Sequence, residues 1–238
     1  MLGRFLEIAV RSDDILASIA WYESLGFVQA TVGDSRTHRY AVLTDGRLWL
    51  GLHADAIEAP TLTWVQPGLA AHLTALSVLG IEAEQARLGE EDFHEARLRD
   101  PSGQVVSLVE ARTYSPPPAS DLRPSALGYF EEYGIPVADV AAAAAWWDAV
   151  GCVAFDPTLD PFPRVVVSHR DINIGLYETD LRRPVLAFSA EDAPARIASL
   201  RERGFRLHER LPHGLDPRSS AILVAPEGTW LLLAPGFD

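Results

Sequence analysis

The amino-acid sequence predicts an α+β protein assembled from four units of the form βαβββ. The first observation behind this prediction is a repeat along the whole chain: FLEIAVRSDDILASIAWYESLGF aligns with FEEYGIPVADVAAAAAWWDAVGC, 125 positions later, so that Glu7 matches Glu132. The second is a weaker repeat within the first copy, which matches Gly26 to Gly80 at an offset of 54. Colinear matches over this length indicate a duplication, so the fold is predicted from its repeating unit.

The first unit shows how each element is predicted. Apolar and polar residues alternate over residues 5–10, as in a half-buried strand. Asp14 is placed to accept the first free backbone N–H groups of a helix, and Gly26 supplies the left-handed cap that ends one. Between them, Ile19 and Tyr22 fall on the same helical face. This pattern predicts one strand followed by one helix.

Further strands complete each unit. The apolar runs HRYAVL and LWLGL flank the turn TDGR. In the second copy they align with RVVVSHRDINIGLYETD, which places Arg164 over Arg39 and, with one residue lost in the turn, Gly175 over Gly51. A single unit leaves one face of its sheet uncovered, so the four units are expected to pair.

The duplication also predicts the domain boundaries. Residues 1–113 form a first domain and residues 126–238 a second one of the same fold. Between them, residues 114–125 (YSPPPASDLRPS) replace apolar periodicity with Pro and Ser, which is typical of a linker. Such a chain is expected to be a monomer that acts as a pseudo-dimer, or a homodimer.

Composition excludes several classes of partner. The chain carries 33 acidic and 20 basic residues, all of the latter Arg, for a net charge of −13. So acidic a protein repels a phosphate backbone, and a chain without Lys cannot form a Schiff base. The segment MLGRFLEIAV leads directly into a strand without a signal-peptide core, and no apolar run approaches the ~20 residues of a membrane span. We therefore expect a cytoplasmic protein with neither nucleic acid nor membrane as partner. The single Cys152 favours a buried apolar position over a nucleophile.

These elements and their motifs resemble the vicinal oxygen chelate superfamily. The motif D-x-x-x-S-x-x-W-Y-x-x-L-G-F in the first unit and D-P-S-G-Q-V-V-S-L at the end of the second carry the resemblance. The superfamily includes glyoxalase I, extradiol dioxygenases, and the fosfomycin-resistance and bleomycin-binding proteins, to which RLWLGLHAD followed by TLTWV is most similar. The resemblance implies two cup-shaped domains of mixed sheet. It implies no single chemistry, because one fold serves many functions.

In metal-using members of the superfamily, side chains from both units of a cup hold a divalent ion. The resemblance carries the first-strand ligand onto Glu7 and Glu132, the second onto Thr61 and Val185, and the closing ligand onto Ser107 and Leu232. Only the two glutamates are plausible ligands, and they lie in different domains. Since a stable site needs about three protein ligands, the resemblance implies a degenerate site and no cofactor.

Two alternatives remain open for the histidines. A divalent metal could still be held in the first copy by Glu7 with His53, with His38 and His94 as more distant candidates. Otherwise His53 is a surface residue at the end of its strand. The second copy has Tyr177 opposite His53, which makes it the poorer site.

The repeated glutamates have two possible roles. With Phe5 and Ala9 as inward neighbours, Glu7 would lie in a largely apolar cup, where burial raises a carboxylate pKa toward that of a general base. Alternatively, Glu7 forms a salt bridge with Arg39, and Glu132 one with Arg164, and these pairs hold the cups together.

Aromatic residues could line a flat binding cleft, and we include them with polar neighbours as candidate ligand-binding residues. The set consists of Arg39, Trp49, Trp64, Ser107, Arg164, Phe188 and Trp230. Packing of the aromatic rings in the core is the alternative.

Three functions follow. The first is a glyoxalase-like or bleomycin-resistance-like protein that binds a small, partly aromatic or cationic molecule in a metal-free cup. The second is an isomerase or lyase that is carboxylate-based or depends on an atypical metal site, as in a glyoxalase or dioxygenase-like enzyme. In the third, one copy carries the function and the second is its fused dimer partner.

Overall fold

The computed structural model describes residues 2–31, 38–111 and 124–236. The predicted linker, residues 114–125, lies almost entirely outside the described residues. Across these three ranges, no helix is both long enough and apolar enough to cross a bilayer.

The first half forms one eight-stranded mixed sheet with two helices. Its first unit contains β1 (Arg4–Arg11), α1 (Ile15–Ser24), β2 (Val28–Gln29), β3 (Tyr40–Thr44) and β4 (Trp49–His53). Its second unit contains β5 (Thr61–Val65), α2 (Leu69–Val78), β6 (Gln85–Arg87), β7 (Glu95–Arg99) and β8 (Val105–Val109). The strand order is β2-β3-β4-β1-β5-β8-β7-β6, so the first strands of the two units meet at the centre, antiparallel.

The second half repeats this plan with seven strands. Its elements are β9 (Tyr129–Pro136), α3 (Val140–Ala149), β10 (Val153–Ala154), β11 (Arg164–His169), β12 (Ile172–Tyr177), β13 (Val185–Ser189), α4 (Ala193–Glu202), β14 (Ala221–Val224) and β15 (Trp230–Ala234). The fourth unit keeps only an isolated bridge between Leu207 and Leu223 in place of its second strand. The α+β prediction of four paired units is therefore confirmed, with the last unit abbreviated.

The predicted helix signals hold in both copies. The Asp14 carboxylate accepts from the Ala17 N–H at 3.0 Å, and the Asp139 carboxylate accepts from the Ala142 N–H at 2.9 Å. These bonds satisfy backbone donors that the first helical turn leaves without partners. After α1, Gly26 adopts a φ of 97°, which is accessible to glycine at little cost.

The alignment of the two hairpins was wrong by one residue. Tyr40 pairs with His53 across β3 and β4, whereas Arg164 pairs with Tyr177 across β11 and β12. The counterpart of Arg164 is therefore Tyr40, and not Arg39. The pairing of β3 with β4 matches that of β11 with β12 residue for residue. The residue that the second copy lacks therefore lies before β11, and not in the hairpin turn.

A bulge in β1 reverses one predicted side-chain direction. The register with β5 shifts between Phe5 and Glu7. Consequently Phe5 lies on the helix-bearing face, where its ring is 5.1 Å from that of Trp64, while Glu7 and Ala9 face the other side. Phe130 is displaced in the same way onto Phe188, with ring centroids 5.6 Å apart. The expectation that Phe5 points into the first cup is wrong.

The helix-bearing faces of both halves share one hydrophobic core. Polar contacts between the halves are reciprocal: the Tyr22 hydroxyl in α1 donates to Glu227 at 2.7 Å, and the Trp147 indole N–H in α3 donates to Asp100 at 3.1 Å. Glu227 and Asp100 lie in the turns that precede β15 and β8, respectively. Each half therefore anchors the first helix of the other.

Candidate functional site

The inner face of the first sheet encloses a cavity of about 810 Å³, which we call the first cup. Its wall is built from strands of both units, and its polar floor consists of His53, Thr61, Thr63, Arg97 and Ser107. The alternation of side chains along β4, β5, β7 and β8 directs these residues inward while their neighbours enter the core. The floor offers hydroxyl, imidazole and guanidinium groups to a guest.

Glu7 and His53 form a buried pair behind this floor. The two residues are 3% and 2% exposed, and His53 Nε2 lies 3.1 Å from Glu7 Oε1. His53 Nδ1 lies 2.9 Å from His38 Nε2. The other ring nitrogen of His38, Nδ1, lies 3.6 Å from the exposed carboxylate of Asp55. The Tyr40 ring stacks on His53 with a centroid separation of 5.8 Å. A chain of titratable groups thus connects the buried carboxylate with the surface.

The repeated glycine explains how the inward glutamate fits. A Cβ atom at Gly51 would lie 2.6 Å from Glu7 Cδ and 2.8 Å from His53 Nε2. A Cβ atom at Gly175 would lie 2.7 Å from Glu132 Oε1. All three distances are shorter than van der Waals contact permits, so each glycine provides space for the adjacent carboxylate.

The second glutamate has different partners. Glu132 Oε1 accepts from Arg164 Nη1 at 2.6 Å and from the Tyr177 hydroxyl at 2.6 Å. All three side chains are buried. Burial raises the pKa of Glu132 above its ordinary value, and the charge of Arg164 opposes that shift. The predicted salt bridge between Glu132 and Arg164 is present.

The matching prediction for the first copy is wrong. Glu7 pairs with His53 and not with Arg39, which is exposed at the start of β3 and lines a separate groove with Asp13 and Asp14. The prediction followed from the misaligned hairpin. His53 is also buried, contrary to the alternative that placed it on the surface.

The row of inward residues that contains Glu7 does not fit a transition-metal site. Across the sheet Glu7 pairs with Thr63, and Thr63 pairs with Ser107, so the inferred second position falls on Thr63 and not on Thr61. One carboxylate and two neutral hydroxyls do not provide the three anionic or imidazole ligands that such an ion requires. The corresponding row of the second half, Glu132, Ala187 and Leu232, fits still less well.

The polar floor of the first cup is replaced by apolar side chains in the second half. The corresponding pairs, by sheet register, are His53 and Tyr177, Thr61 and Val185, Thr63 and Ala187, Arg97 and Ile222, and Ser107 and Leu232. Over this apolar face pack Phe162, Leu181, Leu211, Leu215 and Trp230, which we call the plug. The two halves share a fold, but at these five positions only the first presents polar side chains to a cavity.

The aromatic candidates lie mostly away from the first cup. Trp64 and Phe188 are fully buried in the shared core, where a ligand cannot reach them. Trp230 belongs to the plug, and its ring lies 4.5 Å from that of His208. Trp49 is half-buried at the start of β4. Of the predicted ligand-binding residues, Ser107 lines the first cup, whereas Arg164 lines a cavity in the second half.

The inward positions of Thr63 and Arg97, and the approach of Asp55 to His38, were not predicted from the sequence. The alternation E-A-R-L-R in β7 could have placed Arg97 on the inner face. Arg97 Nη1 lies 3.4 Å from Glu58 at the rim of the cup. The distant candidate His94 binds Glu110 at 2.6 Å, outside the floor.

Several solved structures with a similar fold are dioxygenases. Catechol 2,3-dioxygenase superimposes with a TM-score of 0.58 at 16% identity, over 98% of this chain and 86% of the other. A variant of homoprotocatechuate 2,3-dioxygenase from Brevibacterium fuscum, in complex with HPCA, gives a TM-score of 0.63 at 15% identity, over 100% and 72%. The 2,2',3-trihydroxybiphenyl 1,2-dioxygenase of Sphingomonas wittichii strain RW1 gives 0.60 at 14%, over 98% and 90%. No protein-family model and no curated protein sequence matches the chain.

Proposed function

Because the chain has the vicinal oxygen chelate fold, we propose that it binds a small organic molecule in the first cup without a metal ion. A binding protein of this kind would sequester its guest, as the bleomycin-binding branch does. Since one fold serves many functions, the residues inside the cup determine what it can bind.

The observation that carries the proposal is the contrast between the two inner faces. Thr63 and Ser107 present hydroxyl groups to a cavity of about 810 Å³, while Ala187 and Leu232 occupy the same positions beneath the plug. A polar floor inside a cavity costs stability unless its groups find partners. A guest with its own donors and acceptors would supply them.

The lining indicates the chemistry of such a guest. Hydroxyl groups both donate and accept, and the guanidinium group of Arg97 donates only. At the rim, Phe93 is 57% exposed and offers an apolar surface. We therefore expect a molecule with oxygen or nitrogen acceptors at one end and an apolar part at the other.

The proposal is tested by replacing a polar floor residue of the first cup with the apolar residue found at the same position in the second half. Ser107→Leu introduces the residue found at Leu232, while Ser199→Leu makes the same change on the exposed face of α4. In a thermal-shift screen of metabolites and cationic antibiotics, at least one compound should stabilise the wild type and the Ser199→Leu variant. Stabilisation should be lost in Ser107→Leu. If no compound stabilises the wild type, or if Ser107→Leu retains the effect, the first cup is not the binding site.

The chain of groups behind the floor favours a second candidate, a carboxylate-based isomerase or lyase. A proton accepted by Glu7 could pass through His53 and His38 to the exposed Asp55, because adjacent groups lie 3.1, 2.9 and 3.6 Å apart. Glu7 would then return to its carboxylate form, because the proton it accepted would have left for the surface.

Exchange of carbon-bound hydrogen for solvent deuterium tests this candidate directly. A compound identified by the screen would be incubated in deuterium oxide and followed by NMR. If Glu7 is the base, exchange should be fast with the wild type and with Tyr133→Phe, which lies outside the cup, and about 100-fold or more slower with Glu7→Gln. Equal exchange in the wild type and Glu7→Gln would leave binding as the function.

A further inference from the structure

A groove of about 510 Å³ lies where the two halves meet, and the proposed function does not use it. We call it the junction groove. The first half contributes residues 58–60 and 102–105, and the second half contributes residues 135–138 and 181–184. Its volume is in the range of sites that bind small molecules. Because both halves build the groove, neither half alone would form it.

The base of the junction groove offers mainly apolar contact. Its aliphatic lining consists of Pro60, Val105, Pro136, Val137, Leu181 and Pro184. The amide of Gln104 also lies there, but its Nε2 donates to the carbonyl oxygens of Pro60 and Val105, both at 2.9 Å. Its Oε1 accepts from the Tyr133 hydroxyl at 2.9 Å. Since this amide already has partners, the base suits an apolar part of a guest.

Two adjacent arginines, Arg182 and Arg183, line the rim of the groove. Neighbouring side chains in a strand point in opposite directions, but the chain bends at these two residues, and both line the same groove. The first copy has Glu58 and Ala59 at the equivalent positions. Neither arginine forms an ion pair with a carboxylate in the parts of the chain that the structure describes. In a chain with a net charge of −13, this is a local concentration of positive charge.

The only carboxylate in the lining of the junction groove is engaged elsewhere. Glu58, which also lines the first cup, binds Arg99 through both of its oxygens, at 2.7 and 2.9 Å. Arg183 is held in place, because its Nη1 donates to the Gly228 carbonyl oxygen at 3.2 Å and its guanidinium carbon lies 5.2 Å from the centroid of the Trp230 ring. A guanidinium group has five N–H donors, so most of those at the rim are available to a guest.

We propose that the junction groove binds an organic monocarboxylate with an aliphatic body. The carboxylate pairs with Arg182 and Arg183 at the rim, because guanidinium groups match the planar, two-oxygen geometry of a carboxylate. The aliphatic body lies on Pro136, Leu181 and their apolar neighbours. A single negative charge suits this site better than a phosphate, since the field of so acidic a protein repels a dianion more strongly.

Isothermal titration calorimetry with hexanoate and its neutral analogue hexanol tests this proposal. The variant Arg182→Gln/Arg183→Gln removes both cations of the groove, and Arg201→Gln/Arg206→Gln removes two exposed arginines elsewhere, with the same change in net charge. Hexanoate should bind the wild type about tenfold or more tightly than hexanol does. Its affinity should fall about tenfold in the groove variant and by less than about twofold in the control variant, because solvent and salt screen distant charges.

The single variant Arg182→Gln guards against a loss of folding, because Arg183 then keeps its contact with Trp230. It should have the thermal midpoint of the wild type and bind hexanoate about threefold more weakly. Four results would overturn the proposal: no heat with hexanoate at millimolar concentration, equal affinity for hexanol, tighter binding of inorganic phosphate than of hexanoate, or equal losses in the two double variants.

Ser107→Leu separates the junction groove from the first cup. Its hexanoate affinity should remain within about twofold of the wild-type value, because Ser107 lines the first cup and not the groove. A larger loss would assign hexanoate to the first cup and overturn the proposal.

Discussion

The indole N–H of Trp64, in the first half, donates to Nδ1 of His169, in the second half, at 3.4 Å. The other ring nitrogen of His169 lies 3.1 Å from the carbonyl oxygen of Leu2. The imidazole is therefore held neutral between a donor and an acceptor that both belong to the other half. Its protonation state affects how the two halves are joined.

Acid should weaken this junction through His169. Burial lowers the pKa of His169 below its ordinary value of 6.5, an effect that the nearby Asp171 charge opposes and the Arg170 charge reinforces. The unfolded chain takes up the proton first as the pH falls, so this contribution to stability is complete above pH 6.5 and lost below it. Thermal midpoints should therefore fall more between pH 7.5 and pH 5 for the wild type than for His169→Gln. An exposed control, His213→Gln, should retain the wild-type dependence, and equal slopes for all three proteins would contradict the prediction.

Gly51→Ala should destabilise the protein through a clash with the Glu7–His53 pair. The added methyl group would lie 2.6 Å from Glu7 Cδ, so the free energy of unfolding should fall by about 1–3 kcal/mol in urea titrations. In the Glu7→Ala background the same substitution should cost less, because the obstructing carboxylate is gone. Gly236, whose added Cβ would meet no atom, provides the control. A loss at Gly51 that is unchanged by Glu7→Ala would show that the clash is not the cause.

Arg164→Met should be among the most destabilising single changes in the second half. It leaves the Glu132 carboxylate buried without its cation, which costs about 3–5 kcal/mol. Replacing both partners, as Glu132→Leu/Arg164→Met, should recover most of the loss measured by urea unfolding. The exposed ion pair of Arg218 and Asp216 offers a comparison, and Arg218→Met should cost much less stability than Arg164→Met because solvent screens that pair. A double variant no more stable than Arg164→Met would contradict this account.

Asp100→Ala should cost more stability than Glu227→Ala, although both residues join a turn to the opposite helix. Asp100 accepts from the Trp147 indole and from two backbone N–H groups of its own turn, at 2.9 and 2.8 Å. Glu227 accepts only from the hydroxyls of Ser18 and Tyr22 among the described residues. Since each bond to a charged group contributes about 1.5–3 kcal/mol, the difference should be measurable in urea unfolding. Equal losses would show that the turn of Asp100 holds its shape without the carboxylate.

Repetition in the sequence was sufficient to predict the units, the capping residues and the inward glutamates. These features occur at equivalent positions in both copies, and the alternation of apolar and polar residues indicates them without knowledge of tertiary contacts. The partners of the glutamates depended on the strand register. Because the one-residue gap in the alignment of the two copies was placed in the hairpin turn and not before it, Arg39 was taken as the counterpart of Arg164 in place of Tyr40. A bulge is also invisible to strict alternation, so Phe5 was placed on the wrong face.

The inequality of the two halves was partly visible in the sequence and partly not. Val185 and Leu232 already indicated that the second floor is apolar. The plug could not be predicted, because Leu211 and Leu215 come from a segment without periodicity and reach the floor only through tertiary packing. Burial of Trp64 likewise results from the way the halves meet, which no local pattern contains.

The shared core makes the chain a single thermodynamic unit. Leu25 and Phe27 of the first half pack in the same cluster as Phe188 of the second, so separating the halves would expose the apolar faces of both. The first cup and the junction groove are consequently linked through stability, and not only through the residues they share. A guest that binds one of them raises the free energy needed to unfold the walls of the other.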